Sequence, residues 1–229
     1  MDKIILACWD RDGTINVDED DGFLGKDSNW RNKVELMPGI IEAMQKLQKQ
    51  FPKLQHHIVT NQGGVAINSP GFEELTEQRV AEVNQEIIRR LNNEGIIIHS
   101  CQVCPYVDKE YVEQSKKKNR SIDPKYIKDN PPNRKPSSGM IFDIIKSRNL
   151  SVHNCCVIMF GDRLTDVETG VNAGGYGILI PSQKTHERGD IEKLAQRRKE
   201  NSNFASKTLF AKDAKTAADE AIKLLSIFS

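Results

Sequence analysis

Asp10 and Asp12 lie two positions apart in Asp10-Arg11-Asp12-Gly13-Thr14. Two carboxylates on so short a loop repel each other unless a cation lies between them. The pair therefore points to a divalent metal and to acid chemistry. Other polar residues with chemical potential recur along the chain: Thr60-Asn61-Gln62, Arg134-Lys135-Pro136, and Asp162 with Asp166 in Gly161-Asp162-Arg163-Leu164-Thr165-Asp166. Together they supply a carboxylate nucleophile, a second carboxylate, a hydroxyl, a lysine and a distant acid. That set suits phosphoryl transfer, in which a protein chiefly positions groups and neutralises charge. Taken singly, each has a plainer reading: a turn aspartate, a capping threonine or asparagine, a solvated lysine.

What must position these residues can be read from the periodicity. Apolar runs predict buried strands at 3–9, 54–60, 96–103, 154–160, 177–180 and 208–211. Helical spacing predicts helices after Pro38 and over 73–93, 137–150, 164–173 and 214–225. The segment 182–206 is polar and reads as partly helical, and 105–133 is rich in Lys, Pro and Asn with no clear period. Strands alternating with helices imply an α/β fold: a Rossmann-like parallel sheet with helices on both faces. In such a sheet, ligands bind outside the carboxyl ends of the strands. Asp10, Asp12, Thr60, Asn61, Asp162 and Asp166 all lie at the ends of predicted strands, and Arg134 and Lys135 open a helix.

Composition narrows the classes. The chain has 229 residues, 38% apolar content and a formal net charge of +1. No general affinity for nucleic acid follows from such a charge. No run of about 18 apolar residues is present, so no membrane span is expected. No signal peptide is visible, and the five cysteines are odd in number, which together predict a cytoplasmic, reducing setting. Oligomeric state is not legible.

The four motifs in this order resemble those of haloacid dehalogenase (HAD) superfamily phosphatases, over most of the chain. Within that superfamily, Asp10 to Ile15, Pro38-Gly39, Thr60 to Gly64 and Lys135-Pro136-x-x-Gly139-Met140 resemble the histidinol-phosphate and heptose-bisphosphate phosphatases. The resemblance implies one HAD-type domain over 1–229 without a large cap domain, and a variable substrate loop at about 104–133. It implies a Mg²⁺-dependent phosphomonoester hydrolase working through an aspartyl-phosphate. The ion would be held by the Asp10 carboxylate, the Asp12 carbonyl and the Asp162 carboxylate. Asp10 would be the nucleophile and Asp12 the acid and base. Thr60 and Asn61 would hold phosphoryl oxygens, Lys135 would offset charge, and Arg134 would meet a substrate phosphate. Asp166 would orient Lys135 or a metal-bound water.

One departure stands out. The relatives often carry a zinc loop, Cys-x-His and then Cys-x-Cys before Arg-Lys-Pro. Here Cys104 matches the first ligand, Tyr106 stands in place of the His, and Pro131, Pro132 and Asn133 precede Arg134. A structural zinc site wants four ligands, so no zinc is expected. Lys116, Lys117, Lys118 and Arg120 form a basic cluster within this loop. The expected substrate is a small phosphorylated metabolite, a sugar or histidinol phosphate, at an open site. The alternative is a phosphotyrosine protein. A polynucleotide 3′ phosphate or a catalytically silent binding module stands behind these.

Overall fold

A computed structural model describes residues 3–18 and 23–226. Six strands form one parallel sheet: β1 (Ile4–Trp9), β2 (Leu54–Asn61), β3 (Ile98–Cys104), β4 (Cys155–Gly161), β5 (Tyr176–Leu179) and β6 (Thr208–Phe210). Their order is β3-β2-β1-β4-β5-β6. β1 pairs with β2 on one side and β4 on the other. The order reverses between β1 and β4, the switch point at whose carboxyl ends open α/β sheets bind ligands. Asp10 directly follows β1, and Asp162 directly follows β4.

The sheet is buried on both faces, which explains why β1 reads as a continuous apolar run. Ile5, Ala7 and Trp9 face one core, with Ile40, Met44, Leu47, Ala217 and Ala221. Leu6 and Cys8 face the other, with Met140, Ile141 and Ile144. Trp9 stacks on Phe160 at a centroid distance of 4.0 Å. Such a pair is worth about 1 kcal/mol beyond the area it buries. It ties the last turn of β1 to that of β4 directly beneath the two aspartates.

Helices follow the strands. The short α1 (Trp30–Lys33) and α2 (Ile40–Gln50) lie between β1 and β2, and α3 (Glu77–Asn93) lies between β2 and β3. α2 starts after Gly39, which takes φ +79°, a left-handed conformation that glycine adopts without steric cost. α3 starts later than the predicted 73, because Thr76 caps it by accepting a hydrogen bond from Arg79 N at 3.1 Å.

Two segments are more regular than their sequences suggest. The stretch after β3 holds α4 (Lys109–Lys117), capped by Asp108, which accepts from Tyr111 N at 2.8 Å. Lys116 and Lys117 fall in its last turn, where cations suit the helix dipole. The guanidinium of Arg120 lies 5.0 Å from the ring centres of both Phe23 and Phe72. Next come α5 (Gly139–Ser147) and, after β4, α6 (Leu164–Asn172). The polar stretch after β5 is three helices: α7 (Gln183–Arg188), α8 (Asp190–Glu200) and α9 (Ser202–Ser206). α10 (Ala214–Leu225) closes the chain's described part. Among the described residues no helix is long and apolar enough to cross a membrane.

Candidate active site

The loop after β1 is fixed by its backbone. Asp10 N donates to Phe160 O at 2.8 Å. Ile15 N and Asn16 N donate to Arg11 O at 2.9 and 3.0 Å. Gly13 takes φ +81°, and a Cβ there would lie 2.6 Å from Asp162 Oδ2. No other residue fits between these two strand ends. Asp10, Asp162 and Asp166 are all buried, and each offers an oxygen within 4.8 Å of those of the others.

A lysine is set into this acidic group. Lys135 Nζ lies 2.6 Å from Asp10 Oδ1 and 2.7 Å from Asp166 Oδ1, and donates to Val59 O at 2.9 Å. Burial works against the ammonium, but Asp10 and Asp166 outweigh it and hold the lysine's pKa above its usual value. Burial and the Asp10 charge raise Asp166, against the pull of Lys135. The second oxygen of Asp166 accepts from Arg163 N at 2.9 Å, so its side chain is fixed at the start of α6. Asp166 thus contacts Lys135 directly, one of the two partners expected for it.

The Asn61 side chain meets the backbone of Lys135. Its Oδ1 accepts from Lys135 N at 3.1 Å, and its Nδ2 donates to Lys135 O at 3.2 Å. The amide braces the lysine's backbone against the end of β2 and is committed there. Thr60 is buried, and its hydroxyl accepts from Gln62 Nε2 at 2.9 Å.

Asp12 points into a dense set of donors. Arg11 reaches it twice, Nε to Oδ1 at 3.0 Å and Nη2 to Oδ2 at 2.8 Å. Gln62 Nε2 adds a bond of 2.8 Å and Asn16 Nδ2 one of 3.2 Å. Burial alone would raise Asp12; the Arg11 guanidinium, Gln62 and Asn16 hold it below the usual carboxylate range. Arg11 is itself buried and is steadied by Asn84 of α3, whose Oδ1 accepts from Nη1 at 3.0 Å.

Asp162 is held from the segment after β5. Ser182 Oγ donates to its Oδ2 at 2.6 Å, and Arg188 Nη2 to the same oxygen at 2.8 Å. Burial raises Asp162, the nearby Asp10 adds to this, and Arg188 opposes both. Arg11, Asn84, Ser182 and Arg188 were not singled out from the sequence. Asn84 left a trace there: it is a polar side chain within the buried stripe Val80, Val83, Ile87 and Leu91 of α3.

Comparison with known proteins agrees with this architecture. The family described as HAD-hydrolase-like matches residues 132–204. A D-glycero-beta-D-manno-heptose-1,7-bisphosphate 7-phosphatase of Photorhabdus laumondii is 30% identical over 176 residues, covering 76% of this chain and 79% of the relative. The chain belongs to the HAD superfamily of phosphatases.

A second heptose-bisphosphate phosphatase, from Mesorhizobium japonicum, is 28% identical over 79% of this chain and 71% of its own length. The fold matches a D,D-heptose 1,7-bisphosphate phosphatase of B. bronchiseptica, solved with magnesium and phosphate. That match has a TM-score of 0.66 at 20% identity and covers 96% of this chain and 98% of the other. In this HAD phosphatase, the stretch between Cys104 and Arg134 is held by packing and polar bonds. Val107 and Tyr126 are buried with Val65, Leu75 and Val80, and Tyr106 and Tyr111 pack against them. Val107 N donates to Tyr126 O at 3.0 Å, and Lys128 N to Val107 O at 2.9 Å. The Cys104 thiol, 3.8 Å from Tyr106 O, is buried beside this stretch. Arg134 is drawn into the same region. Its Nε donates to Asp108 Oδ2 at 2.8 Å and its Nη1 to Tyr106 O at 3.0 Å. Its guanidinium carbon lies 5.3 Å from the Tyr111 ring centre. The Arg134 side chain therefore bonds within the 104–133 stretch, although Lys135, its neighbour in the chain, bonds to Asp10 and Asp166.

Proposed function

We propose that this HAD phosphatase removes a phosphate from a small phosphorylated sugar. The buried Asp10–Lys135–Asp166 group, with Asp162 alongside, is the observation that carries the chemistry. The heptose-bisphosphate activities of the relatives support the substrate class, and they do not favour the phosphotyrosine reading. We take 1–229 to act as one catalytic unit.

Asp10 is the nucleophile in this reading, forming an aspartyl-phosphate that water then cleaves. Lys135 stays charged beside it and offsets the negative charge of the phosphoryl group. Asp166 keeps the lysine in place from one side, and Asn61 from the backbone side. Thr60 accepts from Gln62 and keeps its own hydrogen to donate to a phosphoryl oxygen. Asp12, having taken up a proton from solvent, gives it to the leaving oxygen, and later takes one from the attacking water. Its four donors occupy the lone-pair sites of an ionised carboxylate, so Asp12 must leave part of the Arg11 fork to act. Asn84 and Gln62 Oε1 remain on Arg11 when it does.

A hard divalent ion fits this site. The donor set is oxygen alone, as Mg²⁺ prefers. Among the described residues, Asp10 Oδ2 and Asp162 Oδ1 carry no hydrogen-bond donor, so each carboxylate keeps one oxygen available. Asp10 and Asp162, with the Asp12 carbonyl, would hold the ion. Bound there, Mg²⁺ supplies charge neutralisation between an anionic ester and an anionic nucleophile.

Arg134 is suited to a second phosphate or another anionic group of the substrate. Two of its nitrogens are anchored, while Nη2 has no acceptor among the described residues. A planar fork held in this way loses little freedom on binding an oxyanion. The test is kcat/KM with Mg²⁺ across heptose 1,7-bisphosphate, histidinol phosphate, phosphotyrosine and a 3′-phosphorylated oligonucleotide. Preference for a sugar phosphate by at least tenfold is expected. Phosphotyrosine or the oligonucleotide as the best substrate would overturn the substrate assignment.

A further inference from the structure

Asp162 receives more polar contacts from one short helix than a turn aspartate needs. Ser182 Oγ donates to Oδ2 at 2.6 Å, and Arg188 Nη2 donates to Oδ2 at 2.8 Å and to the Asp162 carbonyl at 3.1 Å. Thr185 Oγ1 donates to the same carbonyl at 2.6 Å. The three side chains come from the cap and body of α7. Arg188 is fixed in turn by Asp190, which accepts from Nε at 2.8 Å. Thr185 is buried, and its Oγ1 also accepts from Ser182 N at 2.9 Å. The donors converge from 20 or more positions along the chain onto one residue.

We infer that Ser182, Thr185 and Arg188 are positioning residues that select which Asp162 oxygen faces a bound divalent cation. Both donors on the carboxylate go to Oδ2, and Oδ1 has none among the described residues. Rotation of the carboxylate would break two charge-assisted hydrogen bonds, one of them from a guanidinium. The two donors on the carbonyl anchor the backbone on which that side chain pivots. Arg188 also offsets part of the charge that burial and Asp10 make costly. Outer donors of this kind orient metal ligands in general, and losing one weakens metal affinity about 10- to 100-fold.

The inference rests on the proposed cation site, and the experiment separates the two. Mn²⁺, standing in for Mg²⁺, is titrated into the full chain and followed by the loss of the free-ion EPR signal. Thermal melting of each variant reports folding. Ser182→Ala and Thr185→Val are expected to raise the Mn²⁺ dissociation constant about tenfold or more. Ser182→Thr and Thr185→Ser keep the hydroxyls and are expected to stay near wild type. Arg188→Lys keeps the charge but not the fork, and is expected to weaken binding as well. In turnover assays the Mg²⁺ concentration for half-maximal rate should rise, with the KM for the phosphate ester little changed. Wild-type affinity in folded Ser182→Ala, Thr185→Val and Arg188→Lys would overturn this inference and leave the proposed cation site standing. No Mn²⁺ binding by the wild type would overturn both.

Discussion

Arg134 and Lys135 are consecutive, yet they belong to two differently built regions. Lys135 is buried among Asp10, Asp166 and the carbonyl of Val59, at the ends of three central strands. Arg134 leans the other way, onto Asp108, the carbonyl of Tyr106 and the ring of Tyr111. The first region is held by short loops leaving paired strands, so its geometry is set by the sheet. The second is an excursion of some thirty residues between β3 and α5, held by an aromatic and aliphatic cluster of its own. In the proposed reading, chemistry that tolerates little displacement occupies the part braced by the paired strands. In the same reading, recognition, which differs between substrates, falls to the part supported by side-chain packing.

This contrast can be broken at either end. Asp10→Asn should cause the largest loss, lowering kcat by roughly a thousandfold or more, because an amide is a poor nucleophile. Melting of the variant should remain cooperative, and near-native turnover would remove Asp10 from the nucleophile's place. Gly13→Ala should come next. The added carbon must displace Asp162 and adopt a strained φ, a cost of about 1–3 kcal/mol, and kcat should fall with little change in KM. Wild-type kinetics in that variant would show that the strand ends are less constrained than their spacing implies.

Arg134→Ala sharpens the comparison from the other region. It should raise the KM of a sugar bisphosphate about tenfold while leaving kcat for a small aryl phosphate nearly unchanged. Equal losses on both substrates would place Arg134 with the chemistry instead. The smallest effect should come from zinc. Tyr106, Tyr111, Val107 and Tyr126 hold the excursion, so metal analysis of the purified protein should find no stoichiometric zinc. One zinc per chain would mean that ligands as well as packing order this region.

The strand-end region was largely legible from sequence. Asp10 and Asp162 follow apolar runs directly, so type, spacing and position could be read together there; Lys135 was marked only by its Arg-Lys-Pro motif, and the helix expected to open at it starts at Gly139. Asn61 shows the limit of that approach. Its place beside Thr60 suggested contact with phosphate, but gave no sign that its amide also reads the backbone of a residue 74 positions later. Ser182 and Arg188 were hidden for a similar reason: their partner lies 20 and 26 residues back. α4 escaped notice because Tyr111 and Val112 are its only apolar residues, too few to mark an apolar face. Its Asp108 cap was the better signal, since Asp followed by Lys-Glu-Tyr is a plausible helix start.

The stacked pair beneath the site has an optical consequence. Trp9 immediately precedes Asp10, and its partner Phe160 lies two residues before Asp162. The chain has only one other tryptophan, Trp30. In a Trp30→Phe background, emission would therefore come from a single indole lodged under both carboxylates. Occupancy of the strand ends by an ion or a phosphate analogue could then be followed without any label, in the enzyme's own fluorescence.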